Sequence, residues 1–87
     1  MKINLNKQVL DLDGSEIKDA NIGKIVAQVL IGETKGDALK YWGWAQKLYT
    51  GEDLDLDQSD FETFKTFIKE TDKIPVITKA QAIACLS

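Results

Sequence analysis

Six carboxylates crowd one short stretch: Glu52, Asp53, Asp55, Asp57, Asp60 and Glu62. Alternate carboxylates converge on hard cations, and a D-x-D-x-D spacing opens the calcium loop of EF-hand proteins. That loop also needs glycine at its sixth position and a bidentate glutamate at its twelfth. Counted from Asp53, those positions hold Gln58 and Phe64; counted from Asp55, they hold Asp60 and Thr66. Both registers fail. Inward leucines, solvent-facing aspartates and one helix cap account for the same residues, so no metal is expected. Asp11-x-Asp13-Gly14 is explained by a turn, and the glycines form no phosphate-cradling pattern.

Covalent chemistry has little to work with. The chain contains no histidine and no arginine, and its one cysteine is Cys85. Histidine is the usual proton carrier near neutral pH and the usual activator of a cysteine nucleophile. Without it Cys85 reads as an idle, partly exposed thiol. No lysine–carboxylate constellation stands out. Neither enzymatic activity nor a cofactor is expected.

The remaining chemistry is that of contact. Tyr41-Trp42-Gly43-Trp44 places three large aromatic groups on a helix. At 100° per residue, Ala38, Tyr41, Trp42, Ala45, Leu48 and Tyr49 fall on one side, which makes Trp42 a core residue. Trp44 then lies at the edge of the stripe beside Tyr41 and Leu48. Partly exposed tryptophan and tyrosine are the stuff of binding hot spots. Glycine inside a helix costs about 1 kcal/mol relative to alanine, which suggests close approach of another backbone at Gly43. The expected partner-binding residues are therefore Tyr41, Trp44, Asp53, Asp55 and Asp57, the aspartates steering a basic partner. On this reading Trp44→Ala leaves the melting temperature nearly unchanged and weakens partner capture.

Composition sets the bounds. Eighty-seven residues, 44% hydrophobic and 29% charged, suit one folded domain spanning 1–87 with a modest stability margin. Oligomerisation often supplements folding at this size. The net charge of −3 and the dispersed lysines disfavour nucleic-acid binding, which relies on clustered cations. A single cysteine makes no internal disulfide. No apolar run reaches transmembrane length, and the alternation of Lys2, Asn4 and Asn6 with apolar residues is unlike a signal peptide. No membrane association is expected, and the cytoplasm is the expected location.

These residues must be positioned by a small set of elements. Ile3 to Leu12 has strand character and ends at Asp13-Gly14, a two-residue hairpin signal. That hairpin, over 1–18, sets Leu10, Leu12 and Ile17 on one apolar face and Asp11 opposite Glu16, a like-charge pair. The helical part spans 20–86. Asp19 or Asn21 caps a first helix to about Ile31, with Ile22, Ile25, Val26, Val29 and Leu30 as its apolar stripe. Gly32 offers a left-handed stop. A second helix runs from about Asp37 to Tyr49 and ends before Gly51. Leu54 to Asp57 is extended, and Asp57 caps a third helix with Asp60 in its first turn. Leu56 and Phe61 stand at hydrophobic-staple spacing, and Phe61, Phe64, Phe67 and Ile68 form the buried face. Pro75 suits the first position of a fourth helix, with Val76, Ala80 and Ile83 on one face; Thr78 is an alternative cap.

Several segments resemble small uncharacterised proteins of tailed bacteriophages and prophages: Leu12-Asp13-Gly14, Ile22-Gly23-Lys24-Ile25-Val26, Trp44-Ala45-Gln46-Lys47-Leu48-Tyr49, Leu54 through Phe61, and Lys79-Ala80-Gln81-Ala82. The resemblance implies a bacterial host cytoplasm or a virion as the setting and transfers no site residues. The expected fold is α+β, a short N-terminal β-hairpin packed on four helices. The expected function is a non-catalytic, phage-type interaction module docking on a viral or host protein. Its rivals are an assembly accessory acting by self-association and an acidic inhibitor of a host nucleic-acid-binding enzyme.

Overall fold

A computed structural model describes residues 1–86; Ser87, the last residue of the expected domain, lies outside the described residues. In chain order the elements are β1 (Lys2–Ile3), β2 (Gln8–Leu10), β3 (Glu16–Asn21), α1 (Ile22–Ile31), α2 (Ala38–Thr50), β4 (Leu54–Asp55), α3 (Gln58–Glu70) and α4 (Val76–Cys85). The fold is α+β with four helices. Its strands form two separate antiparallel pairs, β1 with β4 and β2 with β3.

The helix starts follow from local chemistry. Asn21 Oδ1 accepts from the Lys24 N–H at 3.1 Å, Asp37 Oδ1 from Lys40 at 3.1 Å, and Asp57 Oδ1 from Asp60 at 2.7 Å. Each cap satisfies an amide that the first helical turn leaves without a partner. Gly51 closes α2 in the left-handed conformation, φ 81°. Gly32 differs from expectation: it ends α1 with φ −87°, in the right-handed region. Pro75 stands just before α4 rather than at its first position, and its carbonyl accepts the Lys79 N–H at 2.8 Å.

The N-terminal strands depart most from the sequence reading. The chain leaves β1 at Asn4 and uses Leu5 to Lys7 to cap α1: the Ile22 N–H donates to Lys7 O at 2.8 Å and the Gly23 N–H to Leu5 O at 2.9 Å. The hairpin turn is also longer than two residues. Asp11 N–H donates to Ser15 O at 2.7 Å and Gly14 N–H to Asp11 O at 2.9 Å. Gly14 has φ +87°, whereas Asp13 stays at negative φ. The Asp13 carboxylate accepts from both the Ser15 N–H, at 2.9 Å, and the Ser15 hydroxyl, at 2.6 Å. Those bonds hold the Asp13 carboxyl below its usual range and select this turn over the tighter one.

The register shifts accordingly. Leu10 pairs with Glu16, Gln8 pairs with Asn21, and a bulge lies between them with Asp19 at φ 61°. Asp11 thereby avoids Glu16. Val9 rather than Leu10 and Leu12 faces the core, and Leu12 stands at the tip, 99% exposed.

Ile3, Leu5, Val9, Val26, Leu30, Leu48, Leu54, Leu56, Phe64 and Ile68 belong to one connected buried cluster. The α4 face is a second correction. Val76 is 82% exposed, while Thr78, Ala82 and Leu86 point inward. Gln81 ties this helix to the hairpin: its Nε2–H donates to Leu10 O at 2.7 Å and its Oε1 accepts the Leu10 N–H at 2.8 Å. The amide therefore completes the β2 edge as a neighbouring strand would. Gln81→Ala is expected to cost about 1–2 kcal/mol in urea unfolding, since two hydrogen bonds are exchanged for water. An unchanged midpoint would show that the hairpin is not anchored through this residue.

Candidate functional site

Helix α2 carries two apolar arcs, and only one fits the core. Tyr41, Trp44, Ala45 and Leu48 follow i, i+3, i+4, i+7, the spacing of a buried stripe. Trp44 is 8% exposed, edge-on to Phe64 with ring centroids 5.5 Å apart and stacked on Tyr41, also at 5.5 Å. Trp42 lies two residues away, about 200° around the helix, and is 56% exposed. The expected roles of the two tryptophans are thus exchanged, because the aromatic face of α3 takes Trp44.

Three of the other expected partner-binding residues have structural work. Asp53 Oδ1 accepts from Asn4 Nδ2 at 2.7 Å. Asp55 lies in β4 opposite Lys2. Asp57 caps α3. Trp44 and Asp55 do border a common depression of about 260 Å³, with Lys40 and Lys47 beside them, so its acidity is offset. Asp60 binds Lys40 Nζ at 2.8 Å and holds that ammonium above the ordinary lysine range. Among the described residues no three carboxylate or thiol side chains are grouped so as to hold a metal ion. Gly43 has open space where a Cβ would stand, so among the described residues no neighbouring element comes within 4 Å of that position.

The larger feature lies on the other side of α2. Helices α1 and α2 run antiparallel, with Gly23 near Leu48 at one end and Ile31 near Trp42 at the other. Between them is a groove of about 380 Å³ with Ala27 and Ala45 as its floor. Ile31, Trp42 and Tyr49 form its walls and are 50%, 56% and 52% exposed. Trp42 and Tyr49 are seven residues apart, so their rings stand about 10 Å apart along the helix. Lys24 Nζ lies 5.2 Å from the Tyr49 ring centroid and marks one end of the groove.

At the other end the groove adjoins a second depression of about 330 Å³, the two sharing Ile31 and Trp42 as wall residues. That depression in turn shares Glu33 and Tyr41 with a third, of about 510 Å³, bordered by Glu62, Thr66, Phe67 and Glu70. The three depressions adjoin in series across these shared wall residues, a band that is apolar at the Tyr49 end and acidic at the Glu70 end. Tyr41, the one expected site residue on this band, is half-buried, with its ring against Trp44 and Phe67. Gly36, at φ +103°, lies beneath that ring, and a Cβ there would stand 2.7 Å from Tyr41 Cζ. Only glycine combines that backbone with that contact.

No family model, curated protein or solved structure matches the chain. Among the described residues no helix is long and apolar enough to cross a membrane.

Sequence reasoning missed Trp42, Tyr49 and Ile31 as a surface group. A usable signal was present. Once 41, 44, 45 and 48 are taken as the buried set, the 42/49 pair is left as a second apolar arc off that stripe.

Proposed function

We propose that this protein is a non-catalytic interaction module that docks on another protein through the α1–α2 groove. The carrying observation is the exposure of Ile31, Trp42 and Tyr49 around an apolar floor. Clustered exposed apolar side chains mark interaction sites, and tryptophan and tyrosine release much free energy when a partner desolvates them. The phage resemblance supplies the setting: a viral or host protein is the partner, met in a bacterial cytoplasm or on a particle.

Trp42→Ala tests this reading. The side chain is exposed, so the variant is expected to unfold within about 0.5 kcal/mol of the parent. Affinity for a captured partner should fall tenfold or more, about 1.4 kcal/mol. Quantitative capture from infected cells, with parent and variant chains as bait at matched concentration, measures the second effect. Equal capture by both chains removes the groove from the interaction.

A further inference from the structure

We infer that the segment seated in the groove is a basic amphipathic helix, its apolar face between Trp42 and Tyr49 and its lysine or arginine residues over Glu33, Glu62 and Glu70. This rests on the docking role proposed for the α1–α2 face and adds the chemistry of the partner. A trough between two helices, walled by aromatic groups about two turns apart, accepts the i, i+3, i+4, i+7 anchors of a third helix.

Charge selects which helix. Among the described residues Lys35, at the middle depression, is the one lysine that lines the band; Lys24 stands at its Tyr49 end, and Lys79 Nζ donates to the carbonyl of Thr71 at the acidic end. Glu33 is partly neutralised by Lys73, at 3.6 Å. Glu62 accepts only from the neutral Gln58 amide, and among the described residues neither Glu62 nor Glu70 forms an ion pair. Two carboxylates that form no ion pair therefore border a depression separated from the apolar groove by the middle one alone. Lys24 at the opposite end makes the band polar along its length, which fixes one orientation for a partner with its cations gathered at one end. A second copy of this chain, with net charge −3 and no arginine, complements that field poorly.

Fluorescein-labelled synthetic peptides of one helical length provide the test, read by fluorescence anisotropy against the full chain. One carries leucine at i, i+3, i+4 and i+7 with lysines gathered at one end; a second has glutamate for lysine; a third scrambles the first. The lysine peptide should bind at least tenfold more tightly than either control. Trp42→Ala should weaken it tenfold or more, and the paired change Glu62→Gln with Glu70→Gln about fivefold, with a flatter salt dependence. Equal binding of the lysine and glutamate peptides, both lost in Trp42→Ala, overturns the basic partner and leaves the groove as a docking face. Equal binding of the scrambled peptide shows bulk charge attraction and overturns the inference. So does self-association of the parent that Trp42→Ala abolishes in sedimentation equilibrium, because the occupant is then a second copy. Absence of binding up to about 0.1 mM overturns the inference, and the Trp42 capture experiment decides separately on the docking role.

Discussion

Trp44→Ala is expected to lose about 3–5 kcal/mol of folding stability, the range for removing a buried tryptophan or phenylalanine side chain. For a chain of this size that lowers the thermal midpoint by roughly 15–30 °C. The Trp44 ring fills the space between α2 and α3, touching Phe64 edge-on and Tyr41 face-on. Its removal leaves a cavity and deprives two other rings of their partner, each such pair contributing about 0.5–1.5 kcal/mol beyond area burial. Trp42→Ala, two residues away, is expected to move the midpoint little. Fluorescence distinguishes the two without unfolding: in Trp42→Phe the remaining emission should be blue-shifted and resistant to iodide, and in Trp44→Phe red-shifted and quenched. A small stability loss in Trp44→Ala would restore it as a surface residue and return the interface to the β4 side of α2.

The contrast shows where the sequence was readable. Helix starts were legible because a cap is a contact over three residues: the sequence marks Asp57 as a cap, Asn21 as one of two candidates with Asp19, and begins the second helix at Asp37, which is its cap. Gly51 as the stop of α2 and the inward positions of Leu56 and Phe61 were legible on the same local grounds. The α+β class followed from those signals together with the strand character of Ile3 to Leu12 and its Asp13-Gly14 turn. Most of what failed depended on distant neighbours, and the hairpin turn on a local competition. Pairing of β1 with β4 joins Ile3 to Leu54, which no local pattern announces. The hairpin face turned on whether Asp13 would bond Ser15 or enter a tighter turn, a competition that composition leaves even. In α4, Thr78 is buried because of what packs on it, and hydropathy points instead to Val76.

The candidate site suffered from the same gap. Alternating acids and aromatics in adjacent segments suggested one surface, but Asp53, Asp55 and Asp57 lie along the chain's own β4 and caps. The acidic end of the observed band draws on Glu33 from the α1–α2 loop and on Glu62 and Glu70 from α3. Glu62 and Glu70 are eight residues apart, on one helical face, and nothing in the sequence places them beside Glu33. The groove itself exists only because α1 and α2 lie side by side.

That close seating is the origin of the last prediction. Gly23 opens the first turn of α1, where a Cβ would lie 3.0 Å from Leu48 O and 3.2 Å from Leu5 O. Both are backbone oxygens, and the Leu5 carbonyl is already engaged by the Gly23 N–H. Neither can turn aside as a side chain would. Gly23→Val is therefore expected to cost about 3 kcal/mol, the upper end of ordinary overpacking, because α1 must lift from both α2 and the Leu5–Lys7 segment. Gly23→Ala meets the same oxygens with one methyl group and gains about 1 kcal/mol of helix propensity, so its midpoint should fall between parent and valine variant. The valine variant should also widen the α1–α2 groove, dulling the response of peptide binding to Trp42→Ala even under conditions where it remains folded. A valine variant as stable as the parent would mean that α1 is not held this closely, and that the spacing between Ala27 and Ala45 is set elsewhere.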